Sequence, residues 1–193
     1  MLIACVKTGD KYGPEYVRRL QSGISRHLPK HDGHVFTCFT DNPVEGVLCE
    51  ELPEALPGWW SKIGLFKLRE PLIYFDLDVV ITGDLSPLLA WQGFGAIKDW
   101  IFHGFNSSVM CLTGNENVWD KFHGVSIDDY PQGDQQFISE CIPTEGRTFP
   151  AEWFPSYKFQ CCQSAPPPGA LACIFHGRPK PHECDGWVSQ QWR

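Results

Sequence analysis

The chain has 193 residues, a length that fits one domain with a single sizeable core. Hydrophobic residues make up 42% and charged residues 20% of it, as in a globular protein, and 16 basic against 23 acidic residues give a net charge of −7. Because phosphate backbones are held mainly by lysine and arginine, this balance excludes a general nucleic-acid binder. No apolar run approaches the roughly 20 residues of a membrane-spanning helix, so no such helix is expected.

The predicted elements alternate between strands and helices in the first half of the chain. In chain order, strands are predicted at 2–6, 35–40, 47–49, 72–78, 105–112 and 171–175, and helices from 14, around 60–67 and at 135–142. Pro14 suits the first turn of a helix, and Tyr16, Leu20 and Ile24 recur on one face of it. This alternation favours an α/β fold with helices on both faces of the sheet. The proline- and cysteine-rich region after residue 149 predicts an irregular part attached to the same core.

The N-terminus and the cysteines bear on the cell compartment. Residues 1–6 lead directly into an apolar strand and lack the charged leader and cleavage site of a secretory signal. The nine cysteines are odd in number and form no C-x-x-C pair, which is atypical of a disulfide framework. We therefore expect a cytoplasmic protein whose cysteines are mostly small buried hydrophobes.

Two carboxylates end the most apolar strand of the sequence. The stretch LIYFDLD at 72–78 is apolar up to Asp76 and Asp78, which is typical of a central parallel strand covered on both faces. Residues two apart in a strand point the same way, so both carboxylates are expected to face one cleft. Open α/β sheets bind ligands at the carboxyl ends of their strands, and oxygen ligands suit Mg²⁺ or Mn²⁺. The pattern predicts a divalent-metal site, with a solvated strand end as the alternative.

Four short motifs follow one another along the chain. They are LIYFDLDVVI with GDL at 72–85, FNSSVM at 105–110, GDQQF at 133–137 and FHGRPKP at 175–181. In the same order, they are similar to the Asp-x-Asp segment, the Phe-Asn-(Ala/Ser)-Gly-Val strand, the Asp-Gln segment and the late His…Gly…Lys-Pro motif of the glycogenin-like, family 8-type nucleotide-sugar glycosyltransferases. The N-terminal strand, with Tyr12 shortly after it, also resembles the nucleotide-binding edge of that family. The resemblance covers most of the chain between residues 2 and 181.

The resemblance implies a fold and a reaction. The fold is α/β, the A-type glycosyltransferase fold, with a mostly parallel central sheet flanked by helices and a small irregular C-terminal part. Residues 1–193 would form one domain, with a nucleotide-binding half at 1–112 and an acceptor and sugar half at 113–193. The reaction is metal-dependent transfer of a hexose-type sugar from a nucleotide diphosphate donor, UDP by the family's preference, with retention of configuration. A saccharide or glycolipid acceptor is compatible with it.

The same resemblance assigns roles to residues of this chain. The implied ligands of Mn²⁺ or Mg²⁺ are Asp76, Asp78 and His176. The implied nucleotide contacts are Val6, Lys7, Thr8, Tyr12, Lys62 and Lys180. The implied sugar contacts are Asn106 and Ser107, and the residues on the reacting face of the sugar are Asp134 and Gln135. Structural alternatives are a solvated lysine at 62 or 180, a buried tyrosine at 12 and a helix N-cap at 134.

Aromatic residues are candidates for the acceptor side. Tryptophan and phenylalanine stack well against sugar rings, although they also fill cores. The candidates are Trp59, Trp60, Trp100, Trp153 and Phe154, with residues 153–158 lining the acceptor side.

Two other functions fit parts of the sequence. Asp76 and Asp78 also resemble the first motif of haloacid-dehalogenase-type phosphatases, in which Asp76 would be the nucleophile. The later motifs of such a phosphatase would be Thr113, Lys121, Asp128 and Asp129. A non-catalytic, zinc-stapled binding module would instead use a cluster near the C-terminus, made of Cys161, Cys162, Cys173, His176, His182 and Cys184.

Overall fold

The structure is a computed structural model that describes residues 1–28, 33–114 and 117–193. The strands in these ranges are β1 (Leu2–Lys7), β2 (Val35–Thr40), β3 (Cys49–Glu50), β4 (Leu72–Phe75), β5 (Val80–Ile81), β6 (Gly95–Lys98), β7 (Phe105–Leu112) and β8 (Ala172–Cys173). The α-helices are α1 (Pro14–His27), α2 (Ser86–Leu89), α3 (Asn117–Phe122), α4 (Asp134–Cys141) and α5 (Trp187–Gln191). The 3₁₀ segments are Gly58–Lys67, Ile127–Asp129, Ala151–Trp153 and Pro181–Glu183, and Tyr157–Cys161 is a π-helical turn.

The central sheet positions the candidate site. In the described part of the chain it has six strands in the order β3-β2-β1-β4-β7-β6. The strands β3, β2, β1 and β4 are parallel, whereas β7 runs antiparallel to both β4 and β6. The predicted mostly parallel sheet flanked by helices is confirmed. Strand β6 was not predicted, because four residues that include a glycine and a lysine show no strand pattern until they pair with β7.

Successive residues of the central strands enter two separate cores. Ile73 and Phe75 pack on the side of α1, whereas Leu72 and Tyr74 pack on the opposite side with the aromatic residues around Trp60. Helix α1 buries Tyr16, Val17, Leu20 and Ile24, as its periodicity predicts. All eight residues of β7 are buried, which explains why this strand is continuously apolar or small.

The C-terminal part is attached to the same core. β8 pairs antiparallel with β5 in a small second sheet, and it is shorter than the strand predicted at 171–175. The Arg26 guanidinium of α1 donates to the carbonyl oxygens of Gln191 and Arg193, which fastens the last helix to the first. This return of the chain brings the segment after β8 over the end of β4. No helix in the described ranges is long and apolar enough to cross a membrane.

Candidate active site

A pocket of about 640 Å³ opens at the edge of the sheet where β1 and β4 end. Residues 106–108 reach the same edge, because β7 is antiparallel to β4 and its first residues continue past the pairing of Phe75 with Val109. The predicted site residues that line the pocket are Val6, Thr8, Tyr12, Lys62, Asp76, Asp78, Asn106, Ser107, Asp134, Gln135, His176 and Lys180. Segments far apart in the sequence therefore meet in one cavity.

Lys7 is the predicted residue that the structure does not bring into the pocket. Its ammonium donates to the carbonyl oxygen of Gly9 at 3.1 Å, and its side chain is buried away from the cavity. Neighbouring strand residues point to opposite faces, so Val6 and Thr8 face the pocket and Lys7 does not. The Lys7 side chain therefore lies outside the pocket, and a contact from the Lys7 backbone to a nucleotide stays a prediction.

Asp76 lies immediately after β4 and is held by two donors. Its Oδ1 accepts hydrogen bonds from the Lys62 ammonium at 2.8 Å and from the Tyr74 hydroxyl at 2.6 Å. Burial raises the pKa of this carboxyl, but the Lys62 charge and the hydrogen bonds outweigh it, so the pKa is lowered. The prediction placed Asp76 and Asp78 inside a strand. The structure ends the strand at Phe75 and turns both side chains into the pocket from a turn.

Asp78 is bound by two residues, one near each end of the chain. Its Oδ2 accepts hydrogen bonds from the Tyr12 hydroxyl at 2.9 Å and from the Lys180 ammonium at 2.5 Å. Burial and the Asp78 charge raise the pKa of Tyr12, so its phenol remains a donor. Sequence reasoning placed Tyr12, Asp78 and Lys180 in one site, but it did not predict that they bind one another.

Lys62 lies at the centre of a buried polar cluster. Its ammonium is 3.5 Å from Asp134 Oδ2 and 3.2 Å from Ser107 Oγ, in addition to its bond with Asp76. Ser107 Oγ in turn donates to Asp134 Oδ2 at 2.5 Å. Burial lowers the pKa of Lys62, but the combined effect of the Asp134 and Asp76 charges is larger and opposite. The pKa of Lys62 is therefore raised. The residue is 3% exposed, so Lys62 is not a solvated surface lysine.

Asp134 is the first residue of α4, but its carboxylate does not cap the helix. Gly133 is the N-cap residue, and no side-chain cap hydrogen bond is present there. Burial raises the pKa of Asp134, and the neighbouring Lys62 charge opposes that shift without cancelling it. The carboxylate instead faces the pocket beside Ser107, so the capping alternative does not describe it, and its position on the sugar side stays a prediction.

His176 has a partner that the sequence did not indicate. Its Nε2 is 2.7 Å from Ser156 Oγ, and its ring stacks on Trp100 with a centroid distance of 5.4 Å. Burial, and then the nearby Lys158 charge, lower the pKa of His176, which favours a neutral imidazole. Ser156 follows an irregular, proline-containing stretch, so no periodic signal connects it with His176.

The side chains at the predicted metal site include two suitable ligands. Asp76 and Asp78 both line the pocket, and carboxylates are the hard oxygen ligands that Mn²⁺ and Mg²⁺ bind. Within residues 1–28, 33–114 and 117–193, however, no three His, Cys, Asp or Glu side chains converge as a ready metal site. The two carboxylates therefore fit a cation that also takes oxygens from a bound ligand, and the contribution of His176 stays a prediction.

The same observations weaken the two alternative functions. The zinc-stapled module requires several cysteine and histidine ligands around one ion, and the described residues contain no such group. The phosphatase alternative requires its later motifs beside Asp76. None of the residues proposed for them, Thr113, Lys121, Asp128 and Asp129, lines the pocket.

The aromatic candidates separate into different environments. Trp59 lines the pocket and is 58% exposed, whereas Trp60 and Phe154 are buried in the cores. Trp153 packs edge to face with Trp91 at 6.0 Å, outside the pocket, and Trp100 covers the ring of His176. Of these aromatic candidates, Trp59 therefore lines the pocket, and Trp100 stacks on His176, which lines it as well.

No protein-family model and no curated protein sequence matches the chain. Solved structures that superpose on it include several glycosyltransferases, and the chain has their A-type fold. One is the glycosyltransferase GlyE of Streptococcus pneumoniae TIGR4, with a TM-score of 0.72 and 13% identity over 93% of this chain and 56% of GlyE. Another is the galactosyltransferase LgtC in complex with donor and acceptor sugar analogues, with a TM-score of 0.66 and 12% identity over 94% of this chain and 89% of LgtC.

A third similar structure is the bifunctional glycosyltransferase WbbM, with a TM-score of 0.69 and 12% identity. That match covers 93% of this chain and 46% of WbbM. The chain therefore spans about half the length of GlyE and of WbbM, and most of LgtC. At these identities the likeness establishes the fold.

Proposed function

We propose that the chain is a glycosyltransferase that moves a hexose-type sugar from a nucleoside diphosphate donor, UDP-linked, to a hydroxyl acceptor of the saccharide or glycolipid class. The observation that carries the proposal is the position of Asp76 and Asp78. In an A-type glycosyltransferase fold, both line the pocket at the end of the central strand, and each is bound to a pocket lysine. The structure of LgtC in complex with donor and acceptor sugar analogues supports this class of ligand.

The nucleotide side of the proposed site is the edge formed by Val6, Thr8 and Tyr12. Backbone groups after β1 lie in the crevice where α/β sheets bind nucleotides. Lys180 adds a positive charge beside Asp78. Its flexible side chain would allow the ammonium to contact a diphosphate bound in the pocket. These features support a nucleotide with its base at β1 and its phosphates toward Asp78.

A divalent cation is part of the proposal, with Asp76 and Asp78 as its carboxylate ligands and His176 as the third. When bound, Mn²⁺ or Mg²⁺ would supply Lewis-acid neutralisation of the charge on the departing nucleoside diphosphate. Without such neutralisation, the two carboxylates would repel the diphosphate. Lys62 and Lys180 balance the carboxylates in the ligand-free chain, since buried charges require partners.

The sugar side is formed by Asn106, Ser107, Asp134 and Gln135. In the proposed reaction the bond from the anomeric carbon to the diphosphate oxygen breaks, and a bond to the acceptor oxygen forms on the same face. The acceptor proton moves to the leaving phosphate oxygen, which needs no protein base. Asp134 stabilises the developing positive charge of the sugar, held in place by Ser107 and Lys62. Loss of turnover in Asp134→Ala and Gln135→Ala is expected, and full activity in both would contradict these roles.

Thermal melting with excess UDP, with and without Mn²⁺, tests the donor site. Ligand at about a hundred times its dissociation constant stabilises by about 2.7 kcal/mol, which for a domain of this size raises the midpoint by about 5–11 °C. The rise is expected in the wild type and to be lost in Asp78→Asn. Asp128→Asn, which changes an exposed carboxylate outside the pocket, serves as the matched control and should keep the rise. A flat response of the wild type to every nucleoside diphosphate would refute the proposal.

A further inference from the structure

Trp59 is the exposed aromatic side chain of the pocket. Of the large hydrophobic residues that the described chain leaves exposed, it is the one that lines the cavity. The next residue, Trp60, is 5% exposed and packs against Phe122 and Tyr130 in the core. The buried Trp60 therefore anchors the backbone beside Trp59, while the Trp59 indole itself is exposed to the cavity.

The Trp59 indole lies against the start of α4, and the preceding residue, Gly58, is joined to the end of β1. The Thr8 hydroxyl donates to the carbonyl oxygen of Gly58 at 3.4 Å. At the start of α4, a Cβ atom added to Gly133 would lie 2.7 Å from Trp59 Nε1, so a side chain at position 133 would require the indole to shift. The indole is thus packed against the backbone that begins α4.

Lys11 links this indole to the ring of Tyr12. Its ammonium lies 5.5 Å from the centroid of the Trp59 ring and 5.2 Å from the centroid of the Tyr12 ring. Tyr12 is itself supported by Tyr16 at 4.6 Å and held through its hydroxyl by Asp78. The Tyr12 and Trp59 rings therefore lie on a common space beside the Lys11 ammonium, which is carried by a flexible side chain.

We propose that Trp59 is a second stacking residue of the nucleobase site, placed across from Tyr12, and that the base of the donor nucleotide takes the space now held by the Lys11 ammonium. The inference rests on the proposed function. A planar base has two π faces, and aromatic side chains bind such faces. The tie between Gly58 and Thr8 assigns Trp59 to the β1 edge, where the nucleotide is proposed to lie.

Binding of UDP and of inorganic pyrophosphate, both with Mn²⁺ and measured by calorimetry, separates the base from the phosphates. One stacked base is worth about 5- to 150-fold in affinity. Trp59→Ala is therefore expected to weaken UDP binding by about fivefold or more and to leave pyrophosphate binding unchanged. Trp59→Phe, which keeps an aromatic face, should restore most of the UDP affinity. Because the side chain is 58% exposed, both variants are expected to unfold at the wild-type temperature.

Tryptophan fluorescence gives a second measurement on the same site. UDP is expected to quench the emission of the wild type and of Trp119→Phe, a matched control outside the pocket, and to lose most of that quenching in Trp59→Phe. Unchanged UDP affinity in Trp59→Ala would overturn this inference and leave the proposed function intact. If the KM for the acceptor were also raised in that variant, Trp59 would belong to the acceptor side. A wild type that binds neither UDP nor any other nucleoside diphosphate would overturn this inference and the proposed function together.

Discussion

The pocket contains two lysine–aspartate pairs that differ in how the fold holds them. Lys62 and Asp76 are 14 residues apart, and the lysine is buried among residues that also form the core. Lys180 and Asp78 are 102 residues apart, and the Lys180 side chain is 17% exposed against 4% for Lys62. The inner pair is built into the core and connects to Asp134, whereas the outer pair is a contact between the sheet and the returning C-terminal segment.

This difference separates the charges that stabilise the fold from those that are available to a ligand. A buried charge that loses its partner is strongly destabilising, whereas a partly solvated one is compensated by water. We therefore expect changes at Lys62 to affect folding first and changes at Lys180 to affect ligand binding first.

Replacing Lys62 is expected to have the largest effect on stability. Lys62→Met leaves two carboxylates without their cation, the buried Asp134 and Asp76, whose side chain is 25% exposed, which costs about 3–5 kcal/mol. For a domain of this size the melting temperature should fall by about 6–20 °C. The control is Lys67→Met in the same 3₁₀ segment, where the pair with Glu54 is partly exposed and contributes about 0–1 kcal/mol. Equal losses in the two variants, measured by urea unfolding, would remove the distinction between the pairs.

Replacing Lys180 is expected to cost less stability and more affinity. Asp78 keeps the hydrogen bond from Tyr12 in Lys180→Met, so the free energy of unfolding should fall by about 1.5–3 kcal/mol. UDP-dependent stabilisation should shrink, because the proposed phosphate contact is gone. Arg178→Gln, which removes an exposed partner of Glu183, is the control and should leave stability nearly unchanged. A Lys180 variant with a larger stability loss than Lys62→Met would reverse the comparison.

The groups around both lysine–aspartate pairs also predict an alkaline limit of stability. The pKa values of Lys62, Tyr74 and Tyr12 are all raised in the folded chain, and groups of this kind contribute stability that is present below their unfolded pKa values. That stability is lost as the pH rises through the folded values, so urea midpoints should decline above about pH 10. Tyr74→Phe should be less stable than the wild type at pH 8, because Asp76 loses a hydrogen bond. The gap should narrow above pH 10, and a constant gap would contradict the assignment.

The smallest expected effect concerns His176, near the outer pair. Ser156→Ala removes the partner of His176 Nε2 and should cost about 1 kcal/mol in unfolding free energy. If His176 is the third metal ligand, this variant keeps the Mn²⁺-dependent response to UDP, whereas His176→Gln weakens it. Equal responses in the two variants, measured by melting with UDP and Mn²⁺, would exclude His176 from the metal set.

The order of strands and the location of the pocket were predictable to a useful degree. The continuous apolar run at β4, the strand-like segment at β7 and the periodic face of α1 are local signals, and the structure has all three elements. Strand β6 had no such signal, since an edge strand of four residues depends on its partner. The helix expected around 60–67 is a 3₁₀ segment. There, a Cβ on Gly64 would lie 3.1 Å from the backbone of residue 54, so the segment packs closely against the preceding loop.

By itself, the sequence determined that a pair of carboxylates follows a buried strand in an α/β chain, because hydrophobic periodicity and short motifs are local properties. Only the tertiary structure decided what those carboxylates bind: Lys62 and Tyr74 at Asp76, and Lys180 and Tyr12 at Asp78. It also directed Lys7 away from the pocket and paired His176 with Ser156. Such contacts join residues up to 102 positions apart, and their geometry depends on how the sheet, the 3₁₀ segment and the returning C-terminal segment pack together.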